Sequence, residues 1–307
     1  MARKRGDRIN GWLVLDKPLE LTSTKAVSIV RRLFNAKKAG HAGTLDPLAT
    51  GILPIALGEA TKTVSNVMEG GKVYEFTVKW GAETTTDDLE GEVTSTSLKR
   101  PTEDEVRDAL PIFTGTIQQT PPAFSAIKIN GKRAYDLARS GEKVEIKSRE
   151  VNIYDLSIKN SIEDEEMTFI AECGKGTYIR AIARDLGREL GCLGHVTRLR
   201  RIKSGPFTEN MSISLEKLEE LSHSAAARDV LLEQLCPIET ALDDIPALAI
   251  NEDDAARVRL GQAVLLKGRD APIIKGPAYA MSGSNIVALG VVSQGEFKPA
   301  RVMNFGE

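Results

Sequence analysis

Apolar and polar positions recur along this chain with two different periods. Thr22-Ser23-Thr24 is an N-cap signal ahead of Ala26, Val27, Val30 and Phe34, and this helical spacing predicts a helix that ends near Gly40. Over 73–80 the period is two: Tyr74, Phe76, Val78 and Trp80 share one side, with Glu75, Thr77 and Lys79 on the other, as in a half-buried strand. Thr102-Glu-Asp-Glu105 reads as a capping box that opens another helix. Met167, Phe169, Ala171 and Cys173 alternate as a strand, and Ile179, Ile182, Ala183, Leu186 and Leu190 then repeat at helical spacing until Gly191. Helices and strands interleave without a regular 30-residue period, which predicts an α+β fold with a mixed or antiparallel sheet. The pattern over 212–235 is helical and is interrupted by Cys236-Pro237. Beyond Pro246 it becomes short apolar runs at 263–266, 286–292 and 300–303 separated by Gly and Pro, the mark of a small all-β module. We expect one large domain over 1–245 and a small one over 246–307.

The 307 residues are 41% hydrophobic and 27% charged, with a formal net charge of -2, which fits a soluble globular chain. No stretch reaches the ~20 apolar residues of a membrane span, and the run 12–15 is too short for a signal-peptide core. Three cysteines, Cys173, Cys192 and Cys236, and three histidines, His41, His195 and His223, stand at wide spacings. Neither a disulfide framework nor a zinc motif is encoded, so a reducing cytoplasm and metal-free chemistry are expected. The neutral sum hides an uneven distribution. Over 1–40, ten cations face three acids, a surplus of +7, and over 173–205 eight face two, a surplus of +6. A third basic stretch runs over 128–149, and acid is concentrated at 163–166 and 209–254. The molecule reads as polarised, with one basic face suited to a polyanion.

Motifs for nucleotide hydrolysis, dinucleotide binding and serine hydrolysis are absent. Gly40-His-Ala-Gly-Thr-Leu-Asp-Pro-Leu-Ala-Thr-Gly51 is a polar, glycine-rich turn with Asp46 at its centre, and Pro47 keeps Asp46 out of helical geometry. Either Asp46 faces a cleft or it closes an Asx-turn on its own backbone. Cys173-Gly-Lys-Gly-Thr-Tyr-Ile-Arg180 joins a strand to a helix and places Arg180 in the first turn, where the macrodipole disfavours a cation by roughly 0.3 to 1 kcal/mol. An anion beside it reverses that sign, and Asp46 or an RNA phosphate could supply one. Arg184 and Arg188 follow at every fourth position, on a face predicted to be exposed, with RNA contact and surface pairing to Asp185 and Glu189 equally open.

Taken together, the segment from Gly40 to Pro54, the Lys72-Val-Tyr74 strand, Gly81-Ala-Glu-Thr-Thr-Thr-Asp-Asp88, Gln119-Thr-Pro-Pro122 with Ser125-Ala-Ile-Lys128, Lys175-Gly-Thr-Tyr-Ile-Arg180 and Leu199-Arg-Arg201 resemble the bacterial tRNA pseudouridine-55 synthases, the TruB family. The likeness runs in order from about Gly11 to Phe207. It implies isomerisation of a uridine in the TΨC arm of tRNA, by a stand-alone enzyme with no cofactor, guide RNA or obligate protein partner. Asp46 resembles the family's essential aspartate and Arg180 the arginine paired with it. Tyr74 resembles the tyrosine that packs on the flipped base, Tyr178 and Leu199 match positions lining the uridine pocket, and His41 resembles the histidine that helps extrude the base. Residues 125–149 resemble an RNA-binding insertion, and the last 60 residues, through Arg259-Leu-Gly-Gln262, a compact PUA domain. Three rivals stay open: a guide-RNA-dependent synthase of the dyskerin type, a non-catalytic tRNA-binding or folding protein, and an N-glycosidase.

Overall fold

The computed structural model describes residues 6–125, 128–129, 132–133, 135, 146–163, 165–266 and 274–306. The insertion expected over 125–149 therefore lies largely outside the described residues, as do Arg3, Lys4, Arg5, Lys267 and Arg269.

The larger sheet is built from ten strands: β1 (Gly11–Lys17), β2 (Ala39–His41), β3 (Ala49–Leu57), β4 (Lys72–Trp80), β5 (Gly115–Gln119), β6 (Arg149–Glu163), β7 (Glu166–Cys173), β8 (Gly194–Ser204), β9 (Phe207–Thr208) and β10 (Ile213–Ser214). Their order is β10-β1-β3-β8-β4-β7-β6-β5, with β2 on β3 and β9 on β8. Only β10·β1 and β3·β8 are parallel, so the sheet is mixed, as the interleaved pattern predicts. Strands β1 and β3 read as nearly continuous apolar runs because both of their faces are covered. Leu13, Leu15, Leu53 and Ile55 pack under helix α1 (Ser23–Leu33), whereas Trp12, Val14, Ile52 and Ala56 pack on the opposite side with Ile286, Leu289 and Met303. A separate core joins β4 and β7 to helix α4 (Ile179–Glu189), with Val106 and Ala109 of α3 (Glu103–Ala109) at its edge. A short helix α2 (Val64–Glu69) lies between β3 and β4.

Local signals are obeyed where they are strong. Thr22 caps α1 by accepting from the Lys25 N–H at 3.2 Å, and Thr102 with Glu105 forms a reciprocal capping box on α3. Helix α1 is shorter than predicted. It stops at Leu33 because Asn35 turns into the left-handed region, φ 48°, and 39–41 then pair with β3 as a strand. The helical stretch over 212–235 is two helices, α5 (Leu215–Ser222) and α6 (Ala227–Leu232).

The C-terminal β region is a five-stranded sheet of β11 (Ala247–Ala249), β12 (Val264–Leu265), β13 (Gly276–Ser282), β14 (Asn285–Ser293) and β15 (Glu296–Val302), in the order β11-β13-β14-β15-β12. It carries one helix that the sequence pattern does not announce, α7 (Glu252–Arg259). Besides the shared apolar core, polar bonds tie it to the larger sheet. Lys62 Nζ donates to Val302 O at 2.7 Å, and Arg301 Nη1 donates to Lys62 O at 2.5 Å and Ser65 Oγ at 3.1 Å.

The parallel seam between β3 and β8 is unusually close. Gly51, at φ +97°, faces Arg201, and a Cβ there would lie 2.2 Å from the Arg201 carbonyl oxygen. Only glycine satisfies both the backbone angle and the spacing.

Candidate active site

Asp46 leaves the loop before β3, and its neighbours determine where it points. Leu45 is buried under α1, and Ser23 Oγ bonds both its N–H and its carbonyl at 2.8 Å. On the other flank Pro47 O accepts from Lys17 Nζ at 3.2 Å, and Lys17 also donates to Pro18 O and Leu21 O. Arg201, almost wholly buried, donates to Ile52 O at 2.7 Å and Gly43 O at 3.1 Å. Burial of Leu45 contributes about 1.5–3 kcal/mol to this anchoring. The Asp46 carboxylate is 37% exposed, and its Oδ2 is 2.9 Å from Arg180 Nε. The contact is an ion pair whose angle falls outside hydrogen-bond geometry, so the carboxylate is held without being capped by a linear donor. The Asx-turn alternative is thereby set aside: Ala49 N–H closes the turn on the Asp46 carbonyl, not on its side chain.

Arg180 lies in the first turn of α4, behind Ile179, which is anchored in the β4/β7 core. Its guanidinium donates to Thr86 O at 2.6 Å and Phe124 O at 3.0 Å, with Asp88 Oδ2 at 3.4 Å from Nη1. Two carboxylates and two carbonyls thus offset the cost of a buried cation at a helix N-terminus. The exposed arginine face predicted for α4 is corrected at Arg180 and Arg184 and holds at Arg188. Arg184 is buried between Asp87 at 3.0 Å and Asp185 at 2.8 Å, and Arg188 makes a two-pronged pair with Glu83 at 2.6 and 2.9 Å. The segment 83–88 brings Glu83, Asp87 and Asp88 over that face and buries Arg180 and Arg184, while the Arg188 side chain stays 54% exposed at the rim. Burial pushes the Asp87 carboxyl up to about 6, with the Arg184 and Arg180 guanidinium groups opposing the shift.

Asp46 and Arg180 open onto a cavity of about 290 Å³ whose walls include Tyr74, Tyr178 and Leu199. Its position follows from the sheet: Leu199 on β8 pairs with Ala49 on β3 and Phe76 on β4, and Arg201 pairs with Tyr74. Tyr74 and Leu199 each touch both large cores, so the cavity sits on the seam between them, flanked by rigid packing. Among its described lining residues Asp46 is the one carboxylate, beside Lys72, Arg149, Lys175, Arg180 and Arg201. Burial raises the Tyr74 phenol above its ordinary range, with Arg201 opposing, so the ring is neutral near pH 7. Burial lowers Lys17 and Lys72 to about 8. Among the described residues no group of three or more His, Cys, Asp or Glu comes together as metal ligands, and no helix is long and apolar enough to cross a membrane.

Residues 31–179 match the model of the TruB family pseudouridylate synthase N-terminal domain, and residues 180–243 match that of the tRNA pseudouridylate synthase B C-terminal domain. The chain belongs to the TruB family. It is 57% identical to the tRNA pseudouridine synthase B of Bradyrhizobium diazoefficiens over 305 residues, 99% of this chain and 88% of that one. To the enzyme of the same name from Rhizobium etli it is 54% identical, over 98% of both chains. A chain in the solved structure of an H/ACA ribonucleoprotein bound to a substrate RNA containing 2′-deoxyuridine is similar at 25% identity, with a TM-score of 0.73 over 95% of this chain and 84% of that one.

In this TruB-family chain five of the six sequence-predicted site residues, Asp46, Tyr74, Tyr178, Arg180 and Leu199, converge on one cavity. His41 does not line it. It ends β2, half-buried, with Nδ1 unpartnered, and burial lowers its pKa, aided by Arg201. Sequence reasoning missed several residues that shape the site. Gln119 accepts from Tyr178 N–H at 2.8 Å and donates to Tyr178 O at 3.1 Å, fixing the backbone just ahead of α4. Gln119 and Arg201 stand in motifs that carry the family likeness, but their geometry was not visible there. Lys17 had a signal of its own, a lysine closing the apolar strand Gly11–Lys17.

Proposed function

We propose that the protein is a stand-alone tRNA pseudouridine synthase that isomerises uridine 55 in the TΨC loop. The observation that carries this reading is the Asp46 carboxylate beside Arg180, the one carboxylate among the described residues lining the cavity. Relatives named tRNA pseudouridine synthase B, alike over nearly the whole chain, support tRNA as the substrate. A uridine inside a folded arm must be extruded first, at a cost of a few kcal/mol in lost stacking. The C1′–N1 bond then breaks, the uracil turns, the C1′–C5 bond forms, and the proton lost from C5 is matched by one gained at N1. No water is consumed and no electron changes hands, so one carboxylate suffices and no cofactor is required. Asp46 acts either by attack on C1′ or by taking the C2′ proton, and both use a carboxylate oxygen of the group that Arg180 holds at 2.9 Å. Tyr74, neutral at working pH, packs on the base, Tyr178 and Leu199 complete its walls, and His41 assists extrusion from beside the loop.

In this reading 1–245 is the catalytic domain, 125–149 an RNA-binding insertion and 246–307 a PUA-like RNA-binding domain, working in the cytoplasm without guide RNA, partner protein or metal. The experiment is incubation of the enzyme with an unmodified tRNA transcript alone, followed by mapping of pseudouridine. Product is expected at one T-arm uridine. Asp46→Asn should lower turnover at least about a thousandfold while tRNA binding changes little. Pseudouridine persisting in that variant would overturn the assignment of Asp46, and free uracil would mark an N-glycosidase. The likeness to the H/ACA ribonucleoprotein chain favours the guide-dependent reading as second choice, and activity on the transcript alone refutes it.

A further inference from the structure

Of the five cations lining the cavity, four are engaged within the protein. Lys72 Nζ donates to the carbonyls of Val67, Met68 and Gly70, and Arg201 to those of Ile52 and Gly43. Arg180 forms ion pairs with Asp46 and Asp88 and donates to the carbonyls of Thr86 and Phe124, and Lys175 pairs with Glu69. Arg149 is different. Among the described residues it has no carboxylate partner, its buried Nε has no hydrogen-bond partner, and its single protein bond is from Nη2 to the Gly176 carbonyl.

The guanidinium is nevertheless built into place. Its Cζ lies 5.2 Å from the centroid of the Tyr178 ring, a cation–π contact. Gly176, at φ +83°, leaves the space it occupies, since a Cβ there would come within 3.3 Å of Nη2. Arg149 is the first residue of β6 and the register partner of Gln119, the residue that clamps the Tyr178 backbone. Two neighbouring strand residues therefore fix Tyr178 from two sides and hold a planar, permanently charged donor over the cavity. A fork with idle N–H groups in a cavity whose one lining carboxylate already faces Arg180 calls for an external anion.

We propose that Arg149 binds a phosphate of the substrate, one of the two phosphodiesters flanking the extruded uridine. This rests on the synthase reading above and adds to it the residue that grips the backbone of the flipped nucleotide.

The test pairs protein variants with RNAs in which one or the other of those phosphodiesters is a neutral methylphosphonate. Arg149→Met should raise KM about 10- to 100-fold, with the single-turnover rate at saturation within about threefold of the parent. It should also lower the slope of log Kd against log salt by about 1. In the parent enzyme one of the two neutral linkages should cause a similar loss in KM, and that loss should vanish in Arg149→Met. Losses that multiply, or neutral linkages without effect on the parent, would overturn the proposal. If Arg149→Met melts early, Arg149→Lys, which keeps the charge and loses the fork, takes its place in the same cycle with a partial loss expected. Binding of the RNA series to Asp46→Asn enzyme reads the same coupling without catalysis, so failure of the synthase reading and failure of this contact are told apart.

Discussion

Between 173 and 205 nearly every cation is paired with a carboxylate or enclosed by carbonyls, and between 6 and 40 most are exposed without an ion pair among the described residues. In the first stretch Arg180, Arg184 and Arg188 meet Asp88, Asp87 and Glu83, Arg200 pairs with Asp16 and Glu209, Arg198 with Glu166, and Arg201 is enclosed by carbonyls. Lys203 alone stays exposed without an ion pair among the described residues. In the second, Asp7 and Asp16 are drawn away to Arg228 and Arg200, leaving Lys25, Arg32, Lys37 and Lys38 exposed and free of ion pairs among the described residues. A surplus of +4 over 6–40 and one of +6 over 173–205 thus serve different ends. One holds the active-site walls together, and the other offers a field to solvent. Formal charge summed over a segment predicts a field only where the counter-charges stay within the segment.

This contrast can be broken at its strongest point first. Arg201→Ala strips donors from the Gly43 and Ile52 carbonyls in a buried site and should lower stability by about 3–5 kcal/mol in urea unfolding. Arg184→Ala, which strands Asp87, should cost a similar amount at pH 8 and markedly less at pH 5. The folded-state pKa of Asp87, about 6, lies above the ordinary carboxyl value of 3.8, so the stabilising contribution of this group is full below about 4 and is lost as pH rises through about 6. Asp87→Asn should flatten that dependence, as measured by unfolding midpoints across pH. For the outward-facing group the expected signature is opposite. Lys37→Ala with Lys38→Ala should leave stability within about 0.5 kcal/mol, weaken tRNA binding, and lower the salt slope by about 1 per lost phosphate contact. The smallest effect belongs to Arg198→Ala, whose exposed pair with Glu166 should be worth about 0–1 kcal/mol. A stability loss in Lys37→Ala with Lys38→Ala as large as that of Arg184→Ala would erase the distinction between the two regions.

The fold was legible where one face of an element carries a long apolar stripe. Strand β4, strand β7 and helix α4 show their periods plainly because each packs one side on a large core. Helix α7 escaped notice because only Ala255 and Val258 are buried on it, too short a stripe to show a period. Strands β11 and β13 are rich in Ala and Gly and carry little β signal. The end of α1 was misplaced because a single left-handed Asn35, not a glycine, ends it. Within the site, Asp46 and Arg180 could be read from a rigid loop and a cation at an unfavourable helix position. The burial of Arg184 could not be read from α4 alone, since the residues that cover it lie about 100 positions earlier. The acids Glu83, Asp87 and Asp88 were nevertheless a signal, three carboxylates on one short segment to match three arginines one turn apart.

Gly51 bears on how this protein can vary. It supplies no functional group, faces no ligand, and lies five residues beyond Asp46. Yet the nearest alternative, alanine, would push β3 and β8 apart at the join that sets Leu199 and Arg201 in place. In a saturation-mutagenesis screen scored by activity, position 51 should tolerate no replacement and rank beside Asp46. A screen scored by folding should separate the two, since Asp46→Asn survives it and Gly51→Ala does not. Intolerance at a position can therefore record the width of a backbone gap as readily as a chemical role.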